Sequence, residues 1–232
     1  MKTISDQKLL MHYITKYDLK EFFCDEILQT MSLISLEKGE YVCEIGHQFQ
    51  YMYFLVSGKL KIYTVQENGK LLLLRFNKPL SIVGDMEFLT DYRAKCNVES
   101  LNKSLLISIR FEDLLQYAYD DPKFLRFLIK NLCHKLYTIS NATSLNLLYP
   151  VENRFASYLL STLCYDNESL LVEELKTSKL TEIANLLGTS YRHLNRIVSR
   201  LVSEHIIRKK DGSIMIEDIE KLRELSRNNL YE

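Results

Sequence analysis

Between residues 31 and 109 the apolar positions come in short runs broken by turn residues. Lys59-Leu60-Lys61-Ile62-Tyr63-Thr64-Val65 alternates polar and apolar with period two, the pattern of a half-buried strand. Runs at 40–43, 51–56, 71–76, 81–83 and within 96–109 read as further strands. Five of the seven glycines lie between 39 and 84, spaced as a series of tight turns. Asn68-Gly69 is the hairpin signal between two of the runs. Short strands with a turn every ~8–12 residues predict a sandwich or barrel. Ahead of them, residues 5–30 read as helical, with Leu9, Leu10, Tyr13, Ile14 and Tyr17 as the apolar set.

After residue 120 the period changes. Asp121 is a fitting N-cap, and Pro122 suits the first helical position. No Gly or Pro follows until Pro150. Leu125, Ile129, Leu132, Leu136 and Ile139, then Thr143 and Asn146, alternate by four and three, the spacing of a coiled-coil seam. The stripe can pack on its own domain or form a seam with a second copy. The length of the helix favours the seam, because it would protrude beyond a small barrel and leave its stripe wet. Tyr149-Pro150 ends the helix, and Pro150 opens another over 151–164. The predicted organisation is a barrel domain with an N-terminal helix (1–120), a dimerisation helix (121–149) and a C-terminal domain (150–232).

The C-terminal domain carries the sharpest local signal. Ile183, Ala184 and Leu187 share one face of a first helix, and Gly188 stops it. Ser190 caps a second helix, 190–202, whose inward stripe is Leu194, Ile197, Val198 and Leu201. Tyr191, Arg192, Asn195, Arg196 and Ser199 face outward. This is a helix-turn-helix, in which the N-terminal half of the second helix enters the major groove. Arg192 and Arg196 are placed to reach guanine edges, and Ser190 and His193 to reach phosphates. Residues 206–216 read as two strands about Asp211-Gly212, a wing with Lys209 and Lys210 on its edge. Arg200 adds to the same basic surface.

Composition refines this picture. Thirty Lys and Arg against thirty Asp and Glu give zero net charge, so DNA binding must rest on local sorting. Between 191 and 210 six basic residues face the single acid Glu204. The five cysteines, at 24, 43, 96, 133 and 164, form no CxxC pair, which points to reduced thiols. The histidines show no metal spacing. No apolar run reaches membrane-spanning length, and 1–10 lacks the apolar core of a signal peptide, so a cytoplasmic protein with no membrane partner is expected. No catalytic motif appears, and no enzyme activity is expected.

A barrel, a long helix and a winged helix-turn-helix in that order resemble the Crp/Fnr family of bacterial transcription regulators over nearly the whole chain. The specific pieces are Leu55-Val56-Ser57-Gly58-Lys59-Leu60-Lys61-Ile62, Val83-Gly84-Asp85 and the helix-turn-helix. Thr189-Ser190-Tyr191-Arg192-His193-Leu194 is similar to a YeiL-type subgroup. The resemblance implies an α+β protein with an N-terminal cyclic-nucleotide-binding-type β-barrel (jelly-roll), a long dimerisation helix and a C-terminal winged helix-turn-helix. It also implies a homodimer that binds an inverted repeat in double-stranded DNA and contacts RNA polymerase. A ligand- or redox-sensing module that binds proteins instead of DNA is the alternative.

Departures from the family pattern set further expectations. Members that bind cyclic nucleotide carry Gly-Glu, then Arg-Ser/Thr-Ala. Here the effector pocket is degenerate: Gly84 is followed by Asp85, and Arg93, Lys95 and Cys96 flank an Ala94 at the arginine position. A one-residue shift turns Arg93 to the other face. Cyclic nucleotide is therefore not expected. The oxygen-sensing branch clusters N-terminal cysteines around an iron–sulfur cluster; only Cys24 lies there, and no cluster is expected. The family's base-reading Arg-Glu-x-x-x-Arg becomes Tyr191-Arg192-x-x-x-Arg196, so the operator sequence does not carry over.

Overall fold

The computed structural model describes residues 1–163 and 179–232. The stretch predicted as helical over 5–30 is not one helix. A strand, β1 (Lys2–Ile4), comes first, followed by α1 (Gln7–Lys16), a 3-10 turn (Leu19–Glu21) and α2 (Asp25–Thr30). Asp6 starts α1 by accepting from the Leu9 N–H at 2.9 Å. Asp18, at φ 51°, takes a left-handed backbone just beyond α1 and turns the chain into the 3-10 segment. Breaking the helix lets Leu10, Ile14, Leu19, Phe23 and Ile27 all reach one core.

The strands follow as β2 (Ser32–Leu36), β3 (Tyr41–Cys43), β4 (Tyr51–Ser57), β5 (Leu60–Val65), β6 (Leu71–Asn77) and β7 (Ser81–Val83). After α3 (Asp85–Thr90) come β8 (Asn97–Ser100), β9 (Ser104–Arg110) and α4 (Phe111–Tyr117). One sheet runs β1-β2-β9-β4-β7 and a second β3-β8-β5-β6. Leu33, Ile107, Phe54 and Ile82 lie on one row of the first sheet. Phe54 there meets Phe23 edge-on at 5.6 Å. Each such buried aromatic contributes about 1.5–3 kcal/mol of burial free energy. Asn68-Gly69 turns the β5–β6 hairpin, with Gln66 N–H donating to the Lys70 carbonyl at 2.8 Å.

α5 (Pro122–Leu148) runs 27 residues without interruption. Asp121 caps it, accepting from the Lys123 N–H at 2.7 Å. Then come α6 (Val151–Thr162), α7 (Leu180–Leu186), α8 (Tyr191–Ser203), β10 (Ile207–Lys210), β11 (Ser213–Ile216) and α9 (Ile219–Ser226). α6 stops at Thr162, and Cys164, predicted as its end, lies outside the described residues. The described chain packs as two compact units, Met1–Ile62 with Asn77–Tyr137, and Tyr63–Phe76 with Thr138–Glu232.

In the first unit α5 buries Phe124, Phe127 and Leu128 in the barrel core. In the second, Ala142 and Leu145 are buried. The stripe of four-three spacing points elsewhere. Ile129 is 59% exposed, Leu136 71% and Ile139 39%, with Leu125 and Leu132 half-buried beside them. Asn146, expected to close the stripe, does not. Its side-chain NH2 donates to the Leu73 carbonyl at 3.4 Å, and its oxygen accepts from the Tyr231 hydroxyl at 2.8 Å. It is drawn to the packed side because it satisfies two partners there.

Candidate nucleic-acid interface

The helix-turn-helix is built as its residues dictate. Leu180, Ile183, Ala184 and Leu186 bury one side of α7. Gly188 follows at φ 62°, and the Thr189 N–H returns to the Ala184 carbonyl at 2.8 Å. Ser190 caps α8 by accepting from the His193 N–H at 3.2 Å, a contact that contributes about 1 kcal/mol. Leu194, Ile197, Val198 and Leu201 are buried, which fixes the opposite face outward. On that face Tyr191, Arg192, His193 and Arg196 are exposed and Asn195 half-exposed. Arg192 and Arg196, one helical turn apart, have no ion pair or hydrogen-bond partner among the described residues.

Arg200 differs from the other two arginines. Its guanidinium pairs with the Glu152 carboxylate of α6, so in this state it ties two helices of the unit together. A second tie was not legible in the sequence. Arg154 of α6 donates to the Leu187 carbonyl at 2.6 Å, closing the C-terminal end of α7 beside Gly188. The wing pairs Lys210 with Ser213 across Asp211-Gly212, both at positive φ (51° and 73°). That is the hairpin turn whose twist matches its strands, and Gly at its second position adopts it without strain. Lys209 and Lys210 are exposed on its edge.

The barrel domain has its own cluster of interest. Gly84, at φ 94°, precedes α3, and a Cβ there would lie 2.8 Å from the Tyr51 carbonyl oxygen. Asp85 is buried, and Lys135 of α5 reaches in to bond its Oδ1. Asp85 Oδ2 has no hydrogen-bond partner among the described residues. Half-buried Glu87 has its carboxyl raised above the usual range, chiefly by burial, with the Asp85 charge adding and Lys135 opposing. Ala94 is buried, while Arg93 stands exposed and donates to the Gly46 carbonyl at 3.1 Å. Lys95 is exposed and Cys96 half-buried. Burial, with Cys96 and Glu87 nearby, pushes the Cys43 thiol far above its ordinary range. No group of His, Cys, Asp or Glu among the described residues is arranged to hold a metal ion. No helix there is long and apolar enough to cross a membrane.

Residues 33–121 match the cyclic nucleotide-binding domain family, and residues 153–225 the Crp-like helix-turn-helix domain. The chain belongs to the Crp/Fnr family. Like that family, which is not enzymatic, it is a transcription regulator with a helix-turn-helix DNA-binding domain. The regulatory protein YeiL of Escherichia coli O157:H7 is 23% identical over 207 residues, covering 89% of this chain and 91% of that one. A CRP-like cAMP-activated global transcriptional regulator of Mycobacterium tuberculosis is 23% identical over 198 residues, covering 84% and 88%. A solved CRP-family regulator from Thermus thermophilus shares the fold at a TM-score of 0.69 and 16% identity, covering 86% of this chain and 98% of that one.

In this Crp/Fnr regulator Lys135 is the residue that sequence reasoning passed over. Its signal was present: a lysine seven residues after Leu128, on the side of α5 where Phe124 and Leu128 enter the barrel core. A charge on that side needs a partner of opposite sign inside.

Proposed function

We propose that this Crp/Fnr regulator acts in the cytoplasm as a homodimer that reads an inverted repeat in double-stranded DNA, needs no cyclic nucleotide, and contacts RNA polymerase as its family implies. The observation that carries the DNA reading is the state of Arg192 and Arg196, exposed on the outward face of α8 with no ion pair among the described residues. Guanidinium groups one turn apart on a groove-entering helix match guanine O6 and N7. Tyr191 and Asn195 flank them, and Ser190 and His193 lie at the helix start, where a phosphate sits. Lys209 and Lys210 on the wing, and Arg200 once it leaves Glu152, supply sequence-independent contacts to the backbone.

The exposed stripe of Ile129, Leu136 and Ile139 supports the homodimer, since a second α5 covers it. Two recognition helices related by a twofold then fall one DNA turn apart, ~34 Å. The barrel supports independence from cyclic nucleotide. Asp85 is already paired with Lys135, Ala94 supplies no cation, and Arg93 faces solvent. A cyclic phosphate would meet Ala94 at the position of the family's arginine, and a ribose hydroxyl would have to compete with Lys135 for Asp85.

Selection of bound sites from random DNA tests the proposal. The expected product is an inverted repeat, enriched equally with and without cyclic AMP. Enrichment only with the nucleotide would overturn that part. No enrichment under either condition, with DNA affinity insensitive to salt, would overturn the DNA reading itself.

A further inference from the structure

A groove of about 750 Å3 lies within the first unit, walled by α5, the chain around Phe22 and the loop at Leu80. Its floor is apolar. Phe22 stacks on Phe127 at 4.4 Å between ring centroids, nearly parallel at 20°, and Leu80 lies beside them, half-buried. Its rim is basic. Lys123, Arg126 and Lys130 line it with His134, all exposed, and the only acid lining it among the described residues is Glu21. None of these three cations has an ion-pair partner among the described residues. Spaced by three and four, they sit on one helical face, where like charges repel by about 0.2–0.5 kcal/mol per pair.

This face is not the exposed stripe. At about 100° per residue, Ile129, Leu132, Leu136 and Ile139 fall within about 40° of Leu125 around the helix axis. Arg126, Lys130, Lys123 and His134 fall about 100–180° away on the same reckoning. A second α5 docked along the stripe would therefore meet a different side of the helix from the groove.

We propose that this groove is a binding site for a small amphipathic anion, a carboxylate or phosphate carried on an apolar body. The apolar floor takes the body, and Lys123, Arg126 and Lys130 take the charged head. The volume falls within the ~300–1,000 Å3 of small-molecule sites. A purely ionic ligand would leave the stacked rings wet, and a neutral one would leave the cations unmatched.

Titration calorimetry on the full chain without DNA tests the site, independently of how the protein reads DNA. The probes are decanoate, decylammonium and decanol below their micelle concentrations. Decanoate is expected to bind saturably at one per chain, decanol more weakly, and decylammonium not at all. Arg126→Glu with Lys130→Glu should weaken decanoate at least about ten-fold, which is ~1.4 kcal/mol. The milder Arg126→Gln with Lys130→Gln should weaken it in the same direction if the reversal disturbs folding. Absence of decanoate binding, equal binding of decylammonium, or unchanged decanoate affinity in a folded variant would overturn the proposal. Variants that keep decanoate affinity but lose non-specific DNA affinity would assign the patch to nucleic acid instead.

Discussion

The Lys135 ammonium, on the barrel-facing side of α5, bonds to the Asp85 carboxylate at the start of α3, fifty positions away in the chain. Both side chains are buried. Removing two charges from water is costly, and the pair is tolerated only because each neutralises the other. Asp85 follows Gly84 at the point where the resemblance predicts Gly-Glu, and its partner is a side chain of the same chain.

Breaking one half of that pair should be more damaging than removing both. Asp85→Asn is expected to destabilise the protein by about 3–5 kcal/mol, because it leaves the ammonium buried without its anion. Asp85→Asn combined with Lys135→Met should recover most of the loss. Urea unfolding midpoints of the two variants and the parent check this, and additive losses would refute the pairing.

Glu87 sets a pH dependence of definite sign. Burial raises its folded-state pKa above the unfolded value, so the folded protein holds this proton more tightly than the unfolded chain. Its contribution to stability is fully present below the ordinary carboxylate range and is lost as pH rises through the raised value. Glu87→Gln removes the loss. The stability difference between variant and parent should therefore grow in favour of the variant as pH rises from below the ordinary carboxylate range to neutrality. A difference that stays flat or shrinks over that interval would contradict the assignment.

Leu136, 71% exposed, offers a clean probe of the proposed homodimer. Leu136→Glu leaves the packed sides of α5 untouched and puts a carboxylate on the stripe. The variant should sediment as a folded monomer and bind an inverted repeat at least ten-fold more weakly, about 1.4 kcal/mol or more. Retention of the dimer would move the interface elsewhere.

The two classes of basic residue should separate in DNA binding. Arg196→Ala should cost ~1–3 kcal/mol at the preferred site and relax base preference at one position. Lys209→Ala with Lys210→Ala should weaken all sequences alike and reduce the log–log salt slope by about 0.9 for each phosphate no longer neutralised. Gel-shift titrations at several salt concentrations distinguish them.

Much of this was readable where local chemistry decides structure. The cap at Ser190, the stop at Gly188 and the apolar stripe of α8 depend on neighbours within a few residues, and the chain follows them. The hairpin at Asn68-Gly69 and the start of α5 at Asp121 are of the same kind. What was not readable depends on distant partners. The single helix expected over 5–30 breaks at Asp18 because its apolar residues must follow the curve of a sheet formed later in the chain. Asn146 leaves the stripe for Tyr231, 85 positions away. Arg200 looked like a DNA contact and is held by Glu152, for no pattern along α8 reveals a carboxylate on α6.

α5 presents three faces around its circumference, a packed row, an open apolar stripe and a basic row, and their lines depend on its phase. One residue inserted at its midpoint would swing everything beyond by about 100°, taking Leu136 and Ile139 out of line with Leu125 and Ile129. Seven residues, close to two full turns, would restore the alignment. Insertions of one and of seven residues should therefore differ in sedimentation, the first interrupting the apolar line along the helix and the second keeping it continuous.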